Sequence, residues 1–507
     1  MNTAHRKPFE SLPRPLARAA LLAVLLAAVL TLSACTAGPD YVRPSVAMPT
    51  SFKENAGWKP AEPRDAEPRG RWWEMFGDAA LDALAEQVAG ANQTLAQAEA
   101  RYRQAVALAE GARAGNFPSL TGNLSETRSR ASGTTSATTV ARGVNTSHSL
   151  SVGASWEPDL WGRVRRGVEA GEAGLQASAG DLEAARLLAH AQLVQNYFQL
   201  RVLDAQKRLL EDTIAGYQKS LQLTQNQYAA GTVAKVDTLQ ATTQLKSTQA
   251  QALDIGVQRA QLEHAIAVLV GKAPSEFAIP AFATTSADAS THAATFTPPA
   301  IAPGLPSALL ERRPDIAAAE RRVAAANAQI GVASAAFFPA LTISAATGFQ
   351  SASLAQWLTA PSQFWSLGPA LAMSLFDGGL RRAQTAQAEA TWEASVAAYR
   401  QTVLVALQEV EDSLATLRIL AEEAAVQREA LEAARQSVVL TTNQYKAGTV
   451  SYLNVVNVQA AALAAERTAL DIVARRMLAS TALVRALGGG WNAAQLPAAS
   501  TAPGGAR

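Results

Sequence analysis

Cysteine is almost absent from this chain: of 507 residues only Cys35 is one. An intrachain disulfide is therefore excluded, and so is a thiolate metal cage. The five histidines (His5, His148, His190, His264 and His292) show no H-E-x-x-H or other paired ligand spacing. No G-x-S-x-G elbow occurs, and Gly271-Lys272 lacks both the upstream glycine and the following Ser or Thr of a phosphate loop. These gaps argue against an enzyme, a bound metal and a nucleotide cofactor. Aromatic residues make up only 6%, which favours closely packed helices over a thick aromatic core. Charge is sparse as well, 17% with a net of +2, so there is no basic field for nucleic acid and no acidic tail for a basic partner. Proline is missing from two long tracts, between Asp159 and Ala273 and between Ala370 and Leu496.

What is present begins at the N-terminus. Basic Arg6, Lys7, Arg14 and Arg18 precede an apolar run from Ala19 to Leu32, too short to span a bilayer comfortably. This is the layout of a secretory signal, residues 1–34. It ends in Leu32-Ser33-Ala34-Cys35, which reads as a bacterial lipobox with cleavage before Cys35 and a lipid on that residue. Thr36 follows, where an Asp would signal retention at the inner membrane, so the expected destination is the outer membrane.

The chain also repeats itself. NQYAAGTVAKVDTLQ starts at Asn226 and NQYKAGTVSYLNVVN at Asn443, 217 residues later, and residues 223–272 lie over 440–489 without a gap. Phe117-Pro118 is echoed by Phe338-Pro339, and the run from Leu160 to Arg166 by the run from Phe376 to Arg382. The fold is a duplication. Each copy opens with a helical segment (79–115 and 311–336), stopped by the Phe-Pro pair. Period-two stretches follow, such as Leu150, Val152, Ala154 and Trp156 against Ser149, Ser151, Gly153 and Ser155. They read as strand hairpins over 116–157 and 337–377 with one apolar face. The proline-free tracts, 158–271 and 378–487, then read as long helical hairpins. Their turns fall at Ala230-Gly231-Thr232 and Ala447-Gly448-Thr449, with glycine ending one helix and Thr placed to cap the next. The first arm, some 68 residues, makes a helix of about 100 Å. Such a length suits an object that bridges two membranes.

Four amphipathic strands per chain cannot close a sheet in lipid, where every backbone group needs a partner and barrels begin at about eight strands. Three copies would supply 12, enough for a pore. The expected fold is therefore mostly α with a transmembrane β-barrel, assembled as a homotrimer.

At this point the motifs resemble a known family. The lipobox followed by Gly38-Pro39-Asp40-Tyr41, the run Trp72-Trp73-Glu74-Met75-Phe76-Gly77-Asp78 and Glu311-Arg312-Arg313-Pro314-Asp315-Ile316 are similar to the TolC-like outer-membrane efflux proteins. So are Ser374-Leu375-Phe376-Asp377-Gly378-Gly379 and Ala486-Leu487-Gly488-Gly489-Gly490-Trp491. The likeness is to the lipoprotein (NodT-type) branch serving resistance-nodulation-division pumps, and it covers essentially the whole mature chain. It implies a 12-stranded barrel continuous with a periplasmic helical barrel, a lipidated segment at 35–78, an equatorial region at 272–310 and a C-terminal tail at 488–507. The implied role is a passive trimeric conduit that exports small toxic compounds with a periplasmic adaptor and an inner-membrane pump. The exit duct of a type I polypeptide secretion system is the alternative. Gly231, Thr232, Val233, Gly448, Thr449 and Val450 would form the adaptor-facing turns, a role compatible with plain helix capping. Tyr445, Tyr452, Asn457 and Asp237 are the candidates for a periplasmic constriction; Asn457 stands where relatives often have an Asp. The only covalent group implied is the lipid on Cys35, with no cofactor.

Overall fold

The computed structural model describes residues 36–54, 70–130, 132, 144–281, 298–299, 301 and 304–497. The expected signal segment, Cys35, residues 282–297, 300, 302 and 303 of the expected equatorial stretch and residues 498–507 of the tail lie outside these residues. Helices α1 (Ala79–Ala91) and α2 (Gln93–Ala114) lead into strands β1 (Ser119–Arg130) and β2 (Val144–Trp156). Helices α3 (Arg163–Ala229) and α4 (Lys235–Leu269) complete the first copy. The second copy runs through α5 (Pro314–Ala335), β3 (Ala340–Ser351), β4 (Gln363–Ala372), α6 (Leu380–Lys446) and α7 (Tyr452–Ala486). The long arms α3 and α6 have 67 residues each, and the return arms α4 and α7 have 35 each. All four boundaries of the second hairpin fall 217 residues after those of the first.

The long helices persist because nothing in them interrupts the backbone ladder and Ala, Gln, Leu and Glu favour it. Their starts are capped by carboxylates. Asp159 accepts from the amides of Val164 (3.0 Å) and Arg165 (2.8 Å), and Asp377 from those of Gly379 and Arg381. Among the described residues no helix is long and apolar enough to cross a membrane.

The strands form one antiparallel sheet in the order β1-β2-β3-β4. The register places Leu124 opposite Leu150, and Leu150 opposite Phe349. Ala345 faces Leu367, and Leu341 faces Leu371. Leu124, Leu150, Phe349, Ile343, Leu367 and Leu371 thus share one face, which turns charged at the end of β1 with Glu126, Arg128 and Arg130. Trp365 (77% exposed) and Leu120 (74%) project from a face that none of the described residues covers. Among the described residues, the outer edges of β1 and β4 carry no further strand.

Two helix breaks correct the expected uniform helical segments. The stretch 79–115 is interrupted at Asn92, whose side chain accepts from Leu95 N (3.0 Å) and donates to Leu269 O (2.8 Å) at the end of α4. The stretch 311–336 is likewise a single turn, Leu309–Arg312, followed by an extended Arg313 and then α5. Arg313 donates to Ala486 O (3.1 Å), the carbonyl that repeats Leu269 O in the second copy. The glycines two residues beyond these carbonyls answer one another too. A Cβ on Gly271 (φ +70) would lie 2.2 Å from Ala91 O, and one on Gly488 (φ +92) 2.0 Å from Arg312 O. Each copy therefore ends by pressing a positive-φ glycine onto its own helix break.

An N-terminal strap, residues 36–54, ties the copies together. Ala37 N donates to Trp161 O (2.9 Å) at the foot of β2. Gly38 (φ +84) passes so close to Gly331 of α5 that a Cβ would reach 2.5 Å from its Cα. Pro39 O then accepts from Asn327 (3.0 Å), Asp40 pairs with buried Arg166 of α3 (2.7 Å), and Tyr41 donates to Glu320 of α5. Burial, and then the Glu320 carboxylate, push the Tyr41 hydroxyl well above its ordinary pKa. Farther on, the amides of Lys53 and Glu54 donate to Glu411 of α6 (2.7 and 2.9 Å), and Phe52 enters the core around Tyr399 and Val403.

Candidate functional site at the hairpin tips

The two turns are built alike because their sequences are alike. Gly231 N donates to Tyr228 O (2.9 Å) and Thr232 N to Gln227 O (2.9 Å); Gly448 N and Thr449 N repeat this onto Tyr445 O (2.9 Å) and Gln444 O (3.0 Å). With φ of +74 and +73, the glycines close the helices as expected of a left-handed cap. The threonines act differently from the sequence expectation. Their hydroxyls donate back to Gln227 O and Gln444 O (2.9 Å each), so they finish the preceding helix. The next helices start at Ala234 and Ser451 without a side-chain cap. A Thr that follows a helix-ending glycine finds the carbonyls of the last turn nearer than the next helix's amides.

Gly231, Thr232, Gly448 and Thr449 are exposed, and Val233 and Val450 half-buried, so the six expected turn residues lie at the surface of one end of the molecule. Of the four constriction candidates, Tyr445, Tyr452 and Asp237 lie close together. Tyr445 (9% exposed) and Tyr452 (3%) meet edge to face, centroids 5.4 Å apart, in a small core with Ala241 and Val455. Tyr445 donates to Gln227 Oε1 (2.6 Å), across the seam from hairpin 2 to hairpin 1. Burial foremost, then the neighbouring Tyr445 and Tyr217, push the Tyr452 hydroxyl up to about 12. Both phenols are therefore neutral hydrogen-bonding groups at physiological pH. Asn457 is exposed, whereas Asp237, half-buried in the first turn of α4, lies near enough for its charge to act on both tyrosine hydroxyls. Sequence reasoning passed over Gln227 and Ala241; the signal for Gln227 was its repetition as Gln444 in the doubled N-Q-Y.

A duplicated chain with a lipid-suited four-stranded sheet on helices of about 100 Å is a half-open segment of a membrane-spanning duct. Comparison with known proteins identifies which kind. The family model described as "Outer membrane efflux protein" matches residues 84–272 and 305–489, and the chain belongs to that family. It is 31% identical to the pyoverdine export outer membrane protein OpmQ of Pseudomonas aeruginosa over 92% of this chain and 96% of that one. It is 29% identical to the cation efflux system protein CusC of Escherichia coli, over 91% and 97%. Among solved structures, the outer-membrane channel OprN superposes with a TM-score of 0.81 at 31% identity, covering 90% of this chain and all of that one. The protein is the outer-membrane channel of an efflux system, reaching into the periplasm, and is not an enzyme.

Proposed function

We propose that three copies of this chain form one passive conduit, a 12-stranded barrel above a helical duct, that exports small toxic compounds for an inner-membrane pump of the resistance-nodulation-division class. The outer edges of β1 and β4, without a partner among the described residues, carry this reading, because neither can face lipid unpaired. β4 of each copy then pairs with β1 of the next. The hairpin turns, bearing Gly231-Thr232-Val233 and Gly448-Thr449-Val450, form six tips that meet a periplasmic adaptor. OpmQ is named for pyoverdine and CusC for cations, yet this chain is about equally similar to both. That supports a duct whose cargo is chosen by the pump.

A lipid on Cys35 fits the strap. Thr36 packs against Gly162, where a Cβ would lie 2.6 Å from its methyl, at the junction of sheet and helix. An acyl chain attached one residue earlier starts beside the leaflet that the barrel enters. The test is susceptibility of a deletion strain to a broad panel of toxic compounds, complemented with wild type or with Cys35→Ala. Hypersensitivity rescued fully by wild type and weakly by Cys35→Ala is expected. A profile that deletion leaves unchanged across the panel counts against small-molecule export.

The adaptor role of the tips has its own test. No heavy atom lies within 4 Å of a Cβ built on Gly231 or Gly448, so a side chain there costs only backbone strain, about 1–2 kcal/mol each. Gly231→Asp and Gly448→Asp are expected to leave the amount of assembled protein intact and to reduce export. Unchanged export in both variants would reject the tip assignment.

A further inference from the structure

Charge is scarce in the two strand hairpins. Residues 116–156 and 337–376 hold one acid, Glu126, and three arginines, Arg128, Arg130 and Arg142, of which Arg142 lies outside the described residues. The other three charges stand on β1, and the register puts all of them on the apolar face, in line with Leu120 and Leu124. The opposite face of β1 is Ser119, Thr121, Asn123, Ser125, Thr127 and Ser129, polar throughout and without a charge. A side chain that only sought water would belong there. A guanidinium on the lipid side calls instead for a counter-charge among the membrane's own headgroups.

The height agrees. The helices reach into the periplasm, so β1 climbs from Ser119 on the inner side to Arg130 on the outer. Arg128 lies eight residues past Leu120, about 27 Å along the strand and about 20 Å along the membrane normal at the tilt of a barrel. An outward apolar band is about 25 Å tall, so both arginines come to its outer rim. Trp365, two residues from the outer end of β4, is exposed on the same face, where an interfacial ring belongs. Arg128 and Arg130 are exposed, and neither has an ion-pair partner among the described residues. The acid is engaged elsewhere: Glu126 Oε2 lies 3.6 Å from His148 Nδ1 on β2.

We propose that Arg128 and Arg130 clamp the phosphate groups of a phosphorylated glycolipid in the outer leaflet, whose acyl chains lie along Leu120, Leu124 and Leu150. The proposal rests on the barrel reading above, which turns this face to lipid. Successive residues on one face of a strand stand about 7 Å apart, so two guanidinium forks can bracket one headgroup. Each fork offers a phosphate two parallel N–H donors. With Glu126 counted, the end of β1 still carries net positive charge.

Native mass spectrometry of the purified protein, stripped of co-purified lipid and titrated with diphosphoryl lipid A, tests the clamp. The double variant Arg128→Gln with Arg130→Gln is expected to need about tenfold more lipid than wild type for half-saturation, or beyond. Lipid A stripped of both phosphates should bind wild type as weakly as the intact lipid binds the double variant. Arg128→Lys with Arg130→Lys should fall between, because an ammonium lacks the fork. Adding Thr127→Arg and Ser129→Arg to the double Gln variant moves the charges to the opposite face and is expected to leave binding weak. Equal half-saturation in wild type and the double Gln variant, or no preference for the phosphates, overturns the clamp; a trimeric mass in the same spectra leaves the barrel standing. Recovery with the moved charges overturns the choice of face. Displacement of the lipid by millimolar inorganic phosphate marks a site for free anions and overturns the lipid assignment. A monomeric mass overturns the barrel reading and the clamp with it.

Discussion

Arg313→Ala is expected to destabilise the assembled protein by about 3 kcal/mol and to lower its amount in the outer membrane severalfold. The guanidinium is buried (7% exposed) and holds Asp315 (2.7 Å), Glu409 of α6 (2.6 Å) and Ala486 O at the end of α7 (3.1 Å). Arg485 reaches the same Glu409 (3.1 Å). One side chain thus joins α5, α6 and α7 where the long arms pass from hairpin to body. Truncation leaves two carboxylates short of a partner and a helix-end carbonyl unpaired. The carboxylates retain 38% and 30% exposure, so the loss falls at the lower end of the range for a broken buried pair. Asn92→Ala, at the equivalent place in the first copy, removes only neutral hydrogen bonds and should cost about 1–2 kcal/mol. The check is the temperature at which purified protein loses its assembled band on gels. Equal midpoints for Arg313→Ala and wild type would show that the node contributes nothing. Arg313→Lys should fall between, because an ammonium cannot reproduce the fork.

Gly331→Val is expected to lift the N-terminal strap while leaving the helical hairpins folded. A Cβ at Gly331 would meet Arg166 Cγ at 2.7 Å and Ala37 O at 2.9 Å, and Gly38 lies against the same backbone. Neither side can give way easily: one is a buried, twice-paired arginine and the other is main chain. Overlap of this kind costs about 1–3 kcal/mol, enough to lower the strap's protection about tenfold or more. Amide exchange over 37–54 reads the effect directly. Faster exchange in the strap with unchanged rates in α3 and α6 is the expected result; uniform acceleration would mean that the strap is integral to the fold.

Much of this architecture could be read before any coordinates, and the reason is local. Helix length follows from proline-free runs, helix ends from glycines such as Gly231 and Gly448, and strands from alternation around Leu150 and Ile343. These signals sit within a few residues of what they control. The failures are non-local. Asn92 has the chemistry of a helix cap, but its break is fixed by Leu269 O, 177 residues away. Arg313 stood out only as part of a familiar motif, and its carboxylate partner Glu409 comes from another helix. The function of Gly38 depends on another glycine, Gly331, which nothing near it announces. At the tip, the doubled N-Q-Y was visible, whereas the burial of Tyr445 against the exposure of Tyr228 depends on which hairpin lies alongside.

The matched arms constrain how such a chain can change its length. One residue inserted into α3 alone would carry its tip about 1.5 Å past that of α6 and rotate every later side chain by about 100°. The rim would then be uneven, and Gln227 would turn away from Tyr445. A deletion in α4 without one in α7 would likewise move Gly271 off its seat on Ala91 while Gly488 stayed on Arg312. Viable lengthening or shortening must therefore come as paired events, equal in the outgoing and return arms and equal in both copies. The duct's depth is inherited in steps that involve four helices at once.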